Sequence, residues 1–140
     1  LIWRRGQPRV RDCRFSGMCA ILCGNRGKTM PKHEFGLMEK TPRLHARYDK
    51  YEPEKYRCLE IEDYDIEPLL MDVQEIPCFY HTRQKPGTGL AYCGITLIPP
   101  ESAEAFLSVL HAHGGDRFRP LIGLFERARD EGKYVIHFGI

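Results

Sequence analysis

The sequence lacks any apolar run that approaches the roughly 20 residues of a membrane-spanning helix. The candidate stretch near its start, MCAILC at 18–23, is short for the apolar part of a secretory signal, which takes roughly 7–15 residues. Leu22, rather than a small residue, precedes Cys23, so neither cleavage nor lipid attachment is indicated. We therefore expect a cytoplasmic protein without a membrane partner.

A complete phosphate-binding loop is also lacking. Gly27, Lys28 and Thr29 match the end of the pattern G-x-x-x-x-G-K-[ST], but Leu22 stands where the first glycine is required. Pro31 follows, and no helical period begins there that would present an N-terminus to a phosphate. We expect no nucleotide and no other cofactor.

Cysteine occurs six times, but without the paired spacing of a zinc site. The first three follow the spacing C-x5-C-x3-C, for which no good fourth ligand lies nearby. The other three lie singly in segments that resemble strands: Cys58, Cys78 and Cys93. We expect reduced thiols throughout, as is usual in the cytosol, and no metal.

Charge divides the chain at Met30. Residues 1–29 hold seven Lys or Arg against one Asp, whereas residues 30–140 hold fourteen basic and eighteen acidic side chains. We interpret 1–29 as a basic leader outside the fold and hypothesise that Met30 is the natural start. Arg and Lys could contact nucleic acid, but Trp3 and Phe15 are the leader's only aromatic residues for stacking, so we do not predict that partner.

The remaining sequence predicts a single α+β domain. Residues 30–55 show no sustained period and are interpreted as an extended arm, while 56–140 contain the domain proper. Four segments are predicted strands: 56–63, 77–82, 90–98 and 134–140. Three segments are predicted helices: 66–74, 99–113 and 118–131. The order β-α-β-β-α(α)-β favours a ferredoxin-like or related arrangement, an antiparallel sheet with helices on one face.

Strand alternation assigns side chains to the two faces of this sheet. Leu59 and Ile61 are predicted on the helix side, as are alternate residues of the last two strands: Ala91, Cys93, Ile95, Leu97, Tyr134, Ile136 and Phe138. The same alternation predicts Glu60, Tyr92, Thr96 and His137 on the open face of the sheet. The parity of the second strand is ambiguous, so either His81 or Tyr80 could join that face.

These five residues are the predicted site. A carboxylate beside an imidazole can act as a general base, and a phenol can donate to an oxyanion, so His137, Glu60 and Tyr92 are the catalytic candidates. As a ligand-binding face, the site would use His81, Thr96, His137 and Glu60. The same residues could equally be the polar side of a half-exposed sheet. We favour a binding or regulatory module for a small molecule or protein partner, with a small enzyme as the alternative.

The segments RYDKYEPEKYRCLEIED, IEPLL, GLAYCGITLIPPES and YVIHFGI resemble a family of small bacterial proteins of uncharacterised function. The resemblance covers about Lys32 to Ile140 and implies a single cytosolic domain, without an activity, cofactor or catalytic residue. If the last segment, 134–140, is an edge strand, its free backbone groups also favour a homodimer.

Overall fold

Six strands form one antiparallel sheet in the computed structural model, which describes residues 31–140. The expectations for the leader lie outside these residues. The strands are β1 (Lys32–Met38), β2 (Leu59–Glu62), β3 (Pro77–Tyr80), β4 (Pro86–Thr88), β5 (Ile95–Ile98) and β6 (Tyr134–Phe138). They lie in the order β2-β1-β6-β5-β3-β4, and every neighbouring pair is antiparallel.

Helices complete an α+β domain, which confirms the predicted class. The α-helices are α1 (Asp63–Ile66), α2 (Leu70–Val73), α3 (Ala103–Ala112) and α4 (Arg119–Glu131). Short 3-10 turns occupy Pro53–Tyr56, Glu67–Leu69, Pro100–Ser102 and Gly115–Phe118. Gly132 ends α4 in the left-handed conformation, at the position that the sequence predicted. None of the helices within 31–140 is long and apolar enough to span a membrane.

The helices bury a large apolar cluster against one face of the sheet. Phe125 of α4 stacks on Phe106 of α3 at 5.0 Å between ring centroids and meets Phe35 of β1 edge-on at 6.2 Å. Ile61 packs against the same cluster, as strand alternation predicted. Burial of these large side chains is the main source of the domain's stability.

The sheet contains two strands that the sequence analysis missed. Residues 32–38, assigned to an extended arm, form β1 between β2 and β6. Residues 86–88, left between two predicted strands, pair with β3 as β4. The position of β1 makes β6 an interior strand with hydrogen-bonded neighbours on both sides. The edge-strand argument for a homodimer was therefore wrong.

The face opposite the helices is covered rather than open. Residues 39–58 cross it and contribute Tyr48, Tyr56 and Cys58 to a second apolar cluster. The strands contribute the buried members of that cluster: Met38, Ile95, Leu97, Tyr134, Ile136 and Phe138. Since both faces of β5 and β6 are buried, the predicted open face does not exist at the centre of the sheet.

The predicted parity of β5 and β6 was inverted. Tyr134, Ile136 and Phe138 face the covering segment, whereas Val135 packs among the helices. His137 and Thr96, expected to point outward, are both 0% exposed. The prediction failed because a strand buried on both faces carries apolar residues at both parities, so alternation does not identify the helix side.

The cysteines only partly agree with the expectation of reduced thiols. Cys58 and Cys78 are free thiols. Cys93, in contrast, is disulfide-bonded, which contradicts the expectation at that position.

Candidate functional site

A buried chain of polar side chains lies under the helices at one end of the sheet. His33 of β1 stands at the centre: its Nδ1 lies 2.9 Å from Nε2 of His137, and its Nε2 lies 2.9 Å from Oδ1 of Asp63. The Tyr92 hydroxyl donates to the other Asp63 oxygen at 3.0 Å. At the opposite end, Nδ1 of His137 lies 3.4 Å from the Thr96 hydroxyl. Five residues are thereby joined into one chain.

The fold brings these residues together through strand register. Phe35 is the cross-strand partner of His137, and Thr96 of β5 is its partner on the other side. His33, two residues before Phe35, shares its face because side chains alternate along a strand. Asp63 is the first residue of α1, immediately after β2, so its carboxylate reaches back over β1.

The chain has one consistent direction of hydrogen bonding when both rings are neutral. An ionised carboxylate only accepts, so His33 donates from Nε2 to Asp63 and accepts at Nδ1 from Nε2 of His137. His137 then accepts at Nδ1 from the Thr96 hydroxyl, whose oxygen accepts the backbone N–H of Ala91 at 2.9 Å. Every buried donor and acceptor in the chain has a partner.

The surroundings favour this distribution of charge. Burial and the neighbouring His33 ring lower the pKa of His137 well below its ordinary value. Burial alone would raise the pKa of Asp63, but hydrogen bonds from His33 and Tyr92 outweigh it and leave that pKa below the ordinary value. The structure therefore holds an ionised Asp63 carboxylate at one end of the pair and a neutral His137 imidazole at the other at neutral pH.

The chain is poorly placed for catalysis. His33 and His137 are both 0% exposed, and Phe35 packs against the His137 ring at 4.8 Å between centroids. A general base needs its substrate within hydrogen-bond reach, directly or through one water. The inner end of the chain finishes at a backbone N–H, which cannot pass a proton onward.

A second polar feature lies on the opposite face, beside β1 and β2. It is a surface groove of about 520 Å³ lined by Glu34, Tyr51, Pro53, Glu54, Arg57, Cys58 and Glu60. Glu34 and Glu60 are directly paired across the two strands, which brings two carboxylates to the same wall. Three carboxylates and one guanidinium give the lining a net negative charge.

Within the groove Glu54 and Glu60 are exposed, whereas Glu34 is buried at 7% exposure. Glu60 is exposed and pairs with the Lys32 ammonium at 2.9 Å, an arrangement worth little in water. Tyr51 donates its hydroxyl to Glu34, while the residue as a whole stays 60% exposed. Burial and the Glu34 carboxylate raise the pKa of the Cys58 thiol to about 12, so this thiol is protonated and unreactive at neutral pH.

The predicted site residues fall into three separate places. Tyr92, Thr96 and His137 belong to the buried chain, whereas Glu60 lines the groove and contacts Lys32. His81 lies elsewhere, with Nδ1 at 2.9 Å from Asp49 and 3.2 Å from the Tyr48 carbonyl. The structure does not bring Glu60 to His137, and the two lie on opposite faces of the sheet.

Sequence reasoning missed the two residues at the centre of the chain. His33 lay in the segment interpreted as an arm, and Asp63 was assigned to the end of a strand. The alternation of His33, Phe35 and Leu37 with Glu34 and Gly36 is a strand signal that could have revealed β1. The contact with Asp63 depends on the turn into α1 and has no comparable signal.

Within residues 31–140, no group of three or more His, Cys, Asp or Glu side chains is placed to hold a metal ion. Comparisons with family models, curated proteins and solved structures found no match for this chain. The resemblance to small bacterial proteins therefore stays a prediction, and the function has to be argued from the two sites.

Proposed function

We propose that the protein is a binding module that holds a small organic cation in the groove beside β1 and β2. The observation that supports this most directly is the convergence of Glu34, Glu54 and Glu60 on one concavity of about 520 Å³. That volume lies within the usual range of small-molecule sites, about 300–1,000 Å³. Glu60 is the one predicted ligand-binding residue that this proposal retains.

The chemistry of the lining favours an amine or guanidinium over an anion. Carboxylates accept charge-assisted hydrogen bonds from such groups, and these are stronger than bonds between neutral partners. The exposed face of Tyr51 adds an aromatic surface that attracts cations. A ligand amine would replace Lys32 at Glu60 at little cost, since that ion pair is exposed.

The enzyme alternative has less support. It depended on His137 and Glu60 acting together, whereas His137 is buried beside His33 and Glu60 lines the groove. The groove itself offers no activated nucleophile, since its thiol is held protonated. Binding needs neither a base nor a nucleophile and uses the carboxylates as they stand.

Calorimetric titration with spermidine at low ionic strength tests the proposal. We expect the wild-type protein to bind, and the double variant Glu54→Gln/Glu60→Gln to bind at least about tenfold more weakly, because charge-assisted hydrogen bonds are lost. The matched control is Glu67→Gln/Glu126→Gln, which removes the same charge at exposed positions outside the groove. Absence of wild-type binding, or equal weakening in both variants, would contradict the proposal.

A further inference from the structure

The buried chain responds to acid in a way that its hydrogen-bond direction dictates. A proton added to His137 would occupy Nδ1, because its Nε2 already donates to His33. The His137 ring would then have to donate from Nδ1 toward Thr96, whose oxygen already accepts the Ala91 N–H. The Thr96 hydroxyl would lose its acceptor inside the core, and a buried polar group without a partner is unfavourable.

The Asp63 carboxylate can offset positive charge on His33, but it makes no bond to His137, whose partners are His33 and Thr96. Asp63 contacts His33 directly, and Tyr92 contacts it through Asp63 and by ring packing at 5.6 Å. The other neighbours of the pair, Phe35 from β1 and Thr96 from β5, carry no charge. One carboxylate faces two rings, so a second proton would leave a cation without a counter-ion.

The position of the chain gives its protonation a structural consequence. Its members link β1, β5, β6 and α1 at one end of the sheet. Backbone bonds at the same end include those from the Asp63 N–H to the Pro31 carbonyl and from the Gly139 N–H to the Gly94 carbonyl. Loss of the chain would remove the side-chain ties at that end, so we expect these two terminal bonds to open more often.

We propose that His137 and its hydrogen-bond partner His33 form an acid-sensitive latch, closed while the buried His137 ring is neutral and opened by proton uptake on that ring below about pH 6.5, the ordinary titration range of histidine. The open form exposes the His137 ring to water, where it can take up this proton. It therefore binds more protons than the closed form below this pH. The equilibrium constant for closure therefore falls by up to about tenfold per pH unit for each additional proton that the open form binds.

Amide hydrogen exchange on the full chain tests the latch, with rates corrected for the intrinsic effect of pH. Between pH 6.5 and 5.5, protection at Asp63 and Gly139 should fall by up to about tenfold relative to Lys133. The Lys133 amide bonds to Ala128 at the opposite end of β6 and serves as an internal reference. A parallel change at all three amides would overturn the latch.

Two variants test whether the pH response depends on His137. His137→Gln removes one titrating ring, and we expect lower protection at Asp63 and Gly139 at pH 7.5 with a smaller change on acidification. His111→Gln alters an exposed histidine of α3 and should retain the wild-type pH response. An unchanged response in His137→Gln would overturn the proposal. If that variant does not fold, the comparison of amides in the wild-type protein still decides.

Discussion

Thr96 determines whether the inner end of the buried chain is satisfied. Its hydroxyl serves His137 and the Ala91 N–H at once, and it is 0% exposed. Thr96→Val keeps the shape but leaves two buried groups without partners, so we expect a loss of about 1–3 kcal/mol in the free energy of unfolding. Urea denaturation at pH 7.5 measures this loss.

Thr96→Ser is the matched control, because it retains the hydroxyl and removes one methyl group. It should lose less stability than Thr96→Val, although the smaller side chain also leaves a small void. Equal stabilities of the valine variant and the wild-type protein would show that the hydroxyl does not complete the chain.

At the scale of elements, the covering segment depends on the absence of a side chain in β1. A Cβ atom on Gly36 would lie 2.6 Å from Cβ of Tyr56 and 2.9 Å from the Tyr56 carbonyl oxygen. Gly36→Ala should therefore push residues 53–58 away from the sheet and cost about 1–3 kcal/mol, the usual effect of overpacking. Thermal or urea unfolding would measure it.

Gly123 of α4, unlike Gly36, has room for a side chain. A Cβ atom there meets nothing within 4 Å, and alanine is the better helix former. Gly123→Ala should raise the free energy of unfolding by up to about 1 kcal/mol. If Gly36→Ala behaved in the same way, the close contact between β1 and the covering segment would be refuted.

The elements with regular periods were predictable, and those defined by long-range contacts were not. The helices predicted at 99–113 and 118–131 are both present, as α3 and α4. β1 was missed because Pro31 and a neighbouring irregular segment concealed its alternation. β4 was missed because Pro86 and Gly87 also favour a turn, and their pairing with β3 is a tertiary effect.

The errors about the site follow from the missing strand. Without β1 the sheet had one covered face, so every polar residue opposite the presumed core was assigned to an open surface. With β1 and residues 39–58 in place, Thr96 and His137 are buried, while Glu60 stays exposed at β2. Sequence found three members of the buried chain but assigned them to the wrong environment.

At the scale of the whole molecule, the sheet separates two kinds of polar site. The buried histidine pair lies under the helices, and the carboxylate groove lies on the other face, although His33 and Glu34 are adjacent in β1. The edge strands β2 and β4 carry Glu60, Glu62 and Pro86, features that discourage pairing with another chain. The fold therefore provides no strand-edge argument for a homodimer.

The central claim is that ligand binding belongs to the groove and not to the buried chain. The most direct measurement is a titration of the ¹⁵N-labelled protein with spermidine, followed through backbone amide shifts. We predict changes at Tyr51, Glu54 and Glu60, with the amides of Thr96 and His137 unaffected. Shifts centred on Thr96 and His137, with none at the groove, would contradict the account.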